Sequence, residues 1–153
     1  SGCDWSSDVC SSDLKKKYID TGKVRLEFID YPLDRLAVIA ATLARSIPTK
    51  DGYIEAISIL LKKQKQWAYS KNPLNELQSI AKLFGISSKK FNDISQNIPL
   101  MQEIVTKMEE ESKNFDINST PTFIVNDKYK ISGALSFKDF EKELLKSINA
   151  KKS

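Results

Sequence analysis

Histidine is absent from the 153 residues, which removes imidazole-based nucleophile activation, imidazole proton relays and most zinc and haem sites together. Cysteine is nearly absent: only Cys3 and Cys10 occur, and their separation matches neither a Cys-x-x-Cys redox pair nor a zinc pair. No apolar run approaches the roughly 18 residues that would span a bilayer, so a chain integral to a membrane is not expected. A basic start, an apolar stretch and a small-residue cleavage site are all lacking at the N-terminus, so no export signal is expected in this chain. The chain is expected to be cytosolic, already processed or truncated. Cysteine, carboxylates, lysine and hydroxyls remain for any chemistry.

With 41% hydrophobic and 29% charged residues, the composition suits one domain with a moderate core. The formal charge of +4 is spread over short groups such as Lys15 to Lys17, Lys62-Lys63, Lys89-Lys90 and Lys151-Lys152. Such scatter reads as solvated helix faces, and nucleic acid is not expected as a partner, because a nucleic-acid footprint needs a concentrated basic stripe.

Residues 1–14 are rich in Ser and Asp and follow neither a helical nor a strand period. The run from Asp4 to Leu14 resembles the conceptual translation of a sequencing-library adapter. On that reading natural sequence begins near Lys15, and Cys3 and Cys10 are artefacts. Its rivals are a genuine disordered leader and a Cys3–Cys10 disulfide loop, and resequencing the source DNA separates the three. The expected domain therefore covers residues 15–153.

Beyond it, Val24, Leu26 and Phe28 alternate with Arg25 and Glu27 between Thr21-Gly22 and Tyr31-Pro32, the pattern of a strand with one better-buried face. Asp34 is placed to cap a helix carrying Leu36, Ala37, Ile39, Ala40, Leu43 and Ile47, and Pro48 stops it. A second helix after Lys50-Asp51-Gly52 puts Tyr53, Ala56, Ile57, Leu60 and Leu61 on one stripe. The third has Asn72 as its cap, Pro73 in the first turn, an apolar face of Leu74, Leu77, Ile80, Ala81 and Phe84, and Gly85 past its end. A short helix from Ser87 or Ser88 runs through Phe91 and Ile94, and a longer one from Pro99 carries Met101, Ile104 and Met108 toward Phe115.

The ending changes character. Thr122 to Val125 is a nearly continuous apolar run, expected as a strand buried on both faces. Asn126-Asp127 then turns the chain into a second strand from Tyr129 to Ile131. Ser136 with Asp139 makes a capping pattern for a last helix whose inward positions are Phe137, Phe140, Leu144 and Ile148. Pro121, leading into the first of these strands, cannot donate a ladder hydrogen bond and so belongs at the strand's start or in a turn. Only about 5 to 6% of X-Pro bonds in folded proteins are cis, so on residues alone an ordinary trans proline is the default.

Several blocks shift that weighing: Lys16 to Arg25, Asp30-Tyr31-Pro32-Leu33-Asp34, Asn118 to Asn126 with Ser119-Thr120-Pro121-Thr122-Phe123, and Ile131-Ser132-Gly133-Ala134. Together they resemble bacterial DsbA-family thiol-disulfide oxidoreductases of the thioredoxin superfamily, with similarity running from Lys15 to Ile148. The resemblance implies an α/β fold of the α+β kind, thioredoxin-like, with a helical subdomain inserted at about residues 34–115. It implies that Pro121 is the cis-proline of the active-site loop and that Thr120 offers backbone groups to an extended substrate peptide. No cofactor and no metal are implied. The substrates would be reduced or misoxidised exported proteins in the periplasm, with a membrane redox partner for the enzyme.

The family's reactive centre is a Cys-x-x-Cys at the start of the first helix, where the helix N-terminus favours the thiolate. This chain has no such motif, so no catalytic residue is expected within it. The motif and the strand preceding it are expected upstream of Lys15 to Tyr18. Loss of that strand would leave the strands at Val24 and Thr122 with unpaired edges, and a poorly stable chain is expected. Ser46 and Ile94 occupy the neighbourhoods of a second cysteine pair found in many relatives. Two other readings stay open: a redox-inactive thioredoxin-fold module that binds extended peptides, and a DsbA-like glutathione-dependent isomerase. Trp67 and Tyr69 are expected as aromatics packing a helix end, and Glu109-Glu110-Glu111 as a solvated face.

Overall fold

A computed structural model describes residues 12–133 and 135–152. The chain divides into two compact units, one comprising the residues up to Tyr31 and from Glu109 onward, the other Pro32–Met108.

The second unit is helical. Asp34 is extended and its Oδ1 accepts from Ala37 N at 2.8 Å, which satisfies one of the donors left over at a helix start. It opens α1 (Arg35–Arg45), whose Leu43 and Ala44 are almost completely buried. Thr49 caps α2 (Lys50–Lys62) in the same way, its Oγ1 accepting from Gly52 N at 3.1 Å. Lys63 leaves helical geometry, and a short α3 (Gln64–Ala68) follows that the sequence pattern does not announce. Its Trp67 is buried with the indole N–H donating to Leu60 O at 2.8 Å. That long-reaching bond folds α3 back on the end of α2.

Pro73 begins α4 (Pro73–Lys82), where Leu77 and Ala81 reach zero exposure. Ser87 Oγ accepts from Lys90 N at 3.2 Å ahead of α5 (Ser88–Ile94), and α6 (Ile98–Phe115) enters the unit through Ile104. Helix α1 packs on α2, α4 and α5.

Five details depart from expectation. Asn72 makes no side-chain cap, and Pro73 at the first helical position removes only that position's donor. Leu61 and Leu74 lie 36% and 46% exposed, on stripe edges that no neighbouring element covers among the described residues. Tyr69 is 85% exposed, since Trp67 alone fills the space at the helix end. Met101 and Met108 are half-buried flanks to the buried Ile104. Glu111 is half-buried and engaged, unlike its exposed neighbours Glu109 and Glu110.

In the first unit, Ser12–Leu14 is helical and Lys15–Ile19 continues as a π-helical turn. Leu14 and Tyr18 are buried there with Ile131, Phe140 and Leu144. The expectation of disorder before Lys15 otherwise falls on residues 1–11, outside the described residues. The segment after Gly22 keeps the expected alternation: Val24, Leu26 and Phe28 are half-buried against the core and Arg25 and Glu27 are exposed. It is nevertheless no strand. Alternation belongs to a segment's own sequence, whereas a ladder needs a neighbour, and among the described residues none pairs with it.

Among the described residues the sheet has two strands, β1 (Thr122–Val125) and β2 (Tyr129–Ser132), antiparallel with Thr122 opposite Ser132 and Val125 opposite Tyr129. Asn126 and Asp127 supply the left-handed conformations of the turn, at φ of 54° and 58°. All four residues of β1 are half-buried rather than enclosed, because packing comes mainly from α7 (Phe137–Lys152), with Phe123 and Phe140 ring centroids 4.7 Å apart. Ser136 Oγ accepts from Asp139 N at 3.2 Å to start α7.

Candidate functional site

The segment between α6 and β1 is fastened on both sides. Asp116 takes a left-handed φ of 50°, and Ile117 N then donates back to Ser112 O at 3.0 Å. The Ile117 carbonyl receives two hydroxyls, Ser112 Oγ at 2.8 Å and Tyr31 OH at 3.2 Å. Lys130, on β2, reaches the last carbonyls of α6, with Nζ 3.4 Å from Phe115 O and 3.1 Å from Asp116 O. A cation at a helix C-terminus is favoured by the exposed carbonyls and the helix dipole.

On the far side Thr122 Oγ1 donates to Ser119 O at 2.6 Å. Gly133 N donates to Pro121 O at 3.0 Å, carrying the β1–β2 pairing one step beyond the strands. Gly133 does this at φ of 93°, a conformation open to glycine and costly for other residues.

Between these ties lies Thr120-Pro121, and the peptide bond joining them is cis. Pro121 is buried and Thr120 is exposed. Among the described residues no hydrogen bond takes up either the amide or the carbonyl of Thr120. The loop thus leaves one backbone donor and one acceptor untaken at an exposed residue, the minimum needed to align an extended peptide by main-chain hydrogen bonds. Thr120 and Pro121, the two residues expected in an active-site loop, both lie in this segment. Cys3 and Cys10 lie outside the described residues. Ser46 sits at the end of α1, donating its Oγ to Thr42 O at 2.7 Å, and Ile94 is buried in α5.

One polar cluster escaped sequence reasoning. Tyr18, 6% exposed, donates its hydroxyl to Glu141 Oε2 at 2.7 Å, and Lys17 Nζ meets the same oxygen at 2.7 Å. Burial, then the bond to Glu141 and the carboxylate's charge, push the Tyr18 hydroxyl up to about 12. The hydrogen bonds from Lys17 and Tyr18 hold the Glu141 carboxyl below its ordinary value, against desolvation. Sequence separations above a hundred residues leave no periodic signal for such a pairing. It fixes the tail of the N-terminal helical segment to α7.

Comparison with known proteins bears on the family and the fold. The family model described as thioredoxin matches residues 2–146. A Rickettsia typhi protein with a provisional protein-disulfide oxidoreductase name is 30% identical over 113 residues, 74% of this chain and 42% of its own length. The thiol:disulfide interchange protein DsbA of Buchnera aphidicola is 26% identical over 117 residues, 76% of this chain and 53% of its own. The chain thus spans about half the length of the curated relatives it matches. The crystal structure of Wolbachia pipientis alpha-DsbA1 superposes with a TM-score of 0.76 at 27% identity, covering 91% of this chain and 77% of that one. The chain belongs to the thioredoxin family, in its DsbA-like branch, with that branch's thioredoxin-like α+β fold.

Proposed function

We propose that the protein is a dithiol-disulfide oxidoreductase acting on exported proteins in the periplasm, and that Thr120 and Pro121 form its peptide-binding loop. The observation that carries this reading is the untaken amide and carbonyl of the exposed Thr120, between the ties at Ile117, Thr122 and Gly133. The names of the DsbA-like relatives support the redox half. The cysteines that exchange electrons belong to a Cys-x-x-Cys encoded upstream of Lys15. A substrate thiolate attacks that disulfide, forming a mixed disulfide and releasing one enzyme thiolate. The second substrate thiolate then displaces the other enzyme sulfur. Two electrons and two protons pass from the substrate dithiol to the enzyme.

A redox-inactive peptide-binding module is the second reading, favoured by the lack of any cysteine from Ser11 onward. One experiment separates the two. The gene product bearing the genomic sequence upstream of Lys15 is mixed with a reduced two-cysteine peptide, and oxidation and binding are both followed. Oxidation, with kcat/KM reduced about tenfold by Thr120→Pro through loss of one backbone donor, supports the enzyme. Binding without oxidation supports the module. Oxidation indifferent to Thr120→Pro contradicts the role given to the loop.

A further inference from the structure

The charge of the molecule is unevenly placed. Residues 32–108 carry eleven Lys and Arg against six Asp and Glu, so the helical unit holds the positive excess and the remainder is close to neutral. Within that unit no carboxylate occurs between Glu55 and Glu76, while Lys62, Lys63, Lys65 and Lys71 all do. These four side chains are exposed, and among the described residues none has an ion-pair or hydrogen-bond partner. The nearest following carboxylate, Glu76, is taken instead by a neutral donor, Gln66 Nε2, at 2.9 Å.

The corner is also structurally held. The Trp67 bond to Leu60 O ties α3 to α2, and Gln66–Glu76 ties α3 to α4. Lys62 ends α2, Lys63 links the two helices and Lys65 lies in α3, so the three lysines sit at the junction of these tied helices. The same stretch of chain carries two exposed apolar side chains, Tyr69 at 85% exposure and Leu74 at 46%.

We propose that this α2–α3–α4 corner is a peripheral docking site for an anionic lipid surface. Lysine is a compact, strongly hydrated charge on a flexible stem, suited to a diffuse field of phosphates, whereas fixed carboxylates or phosphates on a protein are better met by the forked arginine. The corner has four lysines and no arginine. An exposed tyrosine ring with a polar tip and an exposed leucine, set among lysines, have the chemistry of the headgroup boundary. Each lysine near such a surface adds about the same increment of attraction, so the four act together. The site lies within the helical unit and does not depend on the redox reading.

The 153-residue chain, mixed at low salt with phosphatidylcholine vesicles containing phosphatidylglycerol, is expected to sediment with them and to stay in solution with phosphatidylcholine alone. Converting Lys62, Lys63, Lys65 and Lys71 to Gln lowers the partition coefficient by at least about tenfold, and Tyr69→Ala lowers it several-fold. A charge-matched control with Lys128, Lys138, Lys142 and Lys146 changed to Gln, all in the sheet-bearing unit, keeps the vesicle binding. The proposal is overturned by absence of binding to anionic vesicles, by equal losses in both lysine variants, or by soluble polyglutamate displacing the chain from vesicles through the same corner lysines, which would assign the corner to an acidic protein.

Discussion

The helical unit and the sheet-bearing unit solve the same problem by different means. In Pro32–Met108 four helices announce their own starts, α3 being the exception: Asp34, Thr49 and Ser87 accept from the third residue beyond them, and Pro73 occupies a first turn. These devices need only a few consecutive residues. In the other unit the decisive contacts join distant parts of the chain, such as Tyr18 to Glu141, Tyr31 to Ile117 and Lys130 to Asp116. A unit built from local signals is independent of its neighbours' identity. A unit built from distant pairings is only as complete as its pairing partners.

The largest test of this contrast is core truncation. Phe140→Ala removes the ring against Phe123 from the sheet-bearing unit, and Leu77→Ala empties a fully buried position of the helical unit. Each should cost about 3 to 4 kcal/mol in urea unfolding. If the units differ as described, Phe140→Ala abolishes the β1–β2 amide protection from hydrogen exchange while leaving α1 and α4 protected. Simultaneous loss of both would erase the contrast.

Removal of a local device should be smaller. Asp34→Ala costs about 1 kcal/mol by deleting the bond to Ala37 N, and Ser136→Ala a similar amount at α7. Urea midpoints at constant slope measure both.

The Tyr18–Glu141 link gives two pH signatures. The Glu141 carboxyl is held below its ordinary value of 4.5, so its contribution is present above that value and disappears as pH falls through the lower folded-state value. Glu141→Gln should remove this acid-side loss without changing the neutral-pH slope. Tyr18 is raised from 10.0 to about 12, so its contribution is complete below pH 10 and is lost as pH climbs toward 12. In an ultraviolet titration a tyrosine step near pH 12 is expected, and Tyr18→Phe should delete it. The least effect is expected from Tyr69→Ala, whose exposed ring should change stability by less than about 0.5 kcal/mol.

The same contrast explains what the sequence made legible. The helix starts at Asp34, Pro73 and Ser136 and the hairpin turn at Asn126-Asp127 follow from short-range chemistry and stand where the pattern places them. Val24 to Phe28 has a strand's alternation and a strand's half-buried face, yet no ladder, because hydrogen-bond pairing is a property of two segments. Asn72 looked like a cap because the rule describes frequencies, and here its side chain accepts from no helix amide. At the site, Thr120 and Pro121 could be named only through the company of matching blocks around them. The ties that hold the loop, from Tyr31, Ser112, Lys130 and Gly133, have no local signature.

The central claim is that Thr120 presents a free backbone donor and acceptor for an extended peptide. It is tested most directly by nitrogen-15 NMR of the 153-residue chain titrated with an extended peptide whose cysteines are replaced by serine, so that no covalent step contributes. The account predicts the largest saturable amide shift at Thr120, with smaller shifts at Thr122 and Gly133 and none at Leu77. Shifts that leave Thr120 unmoved while the peptide binds elsewhere would contradict it.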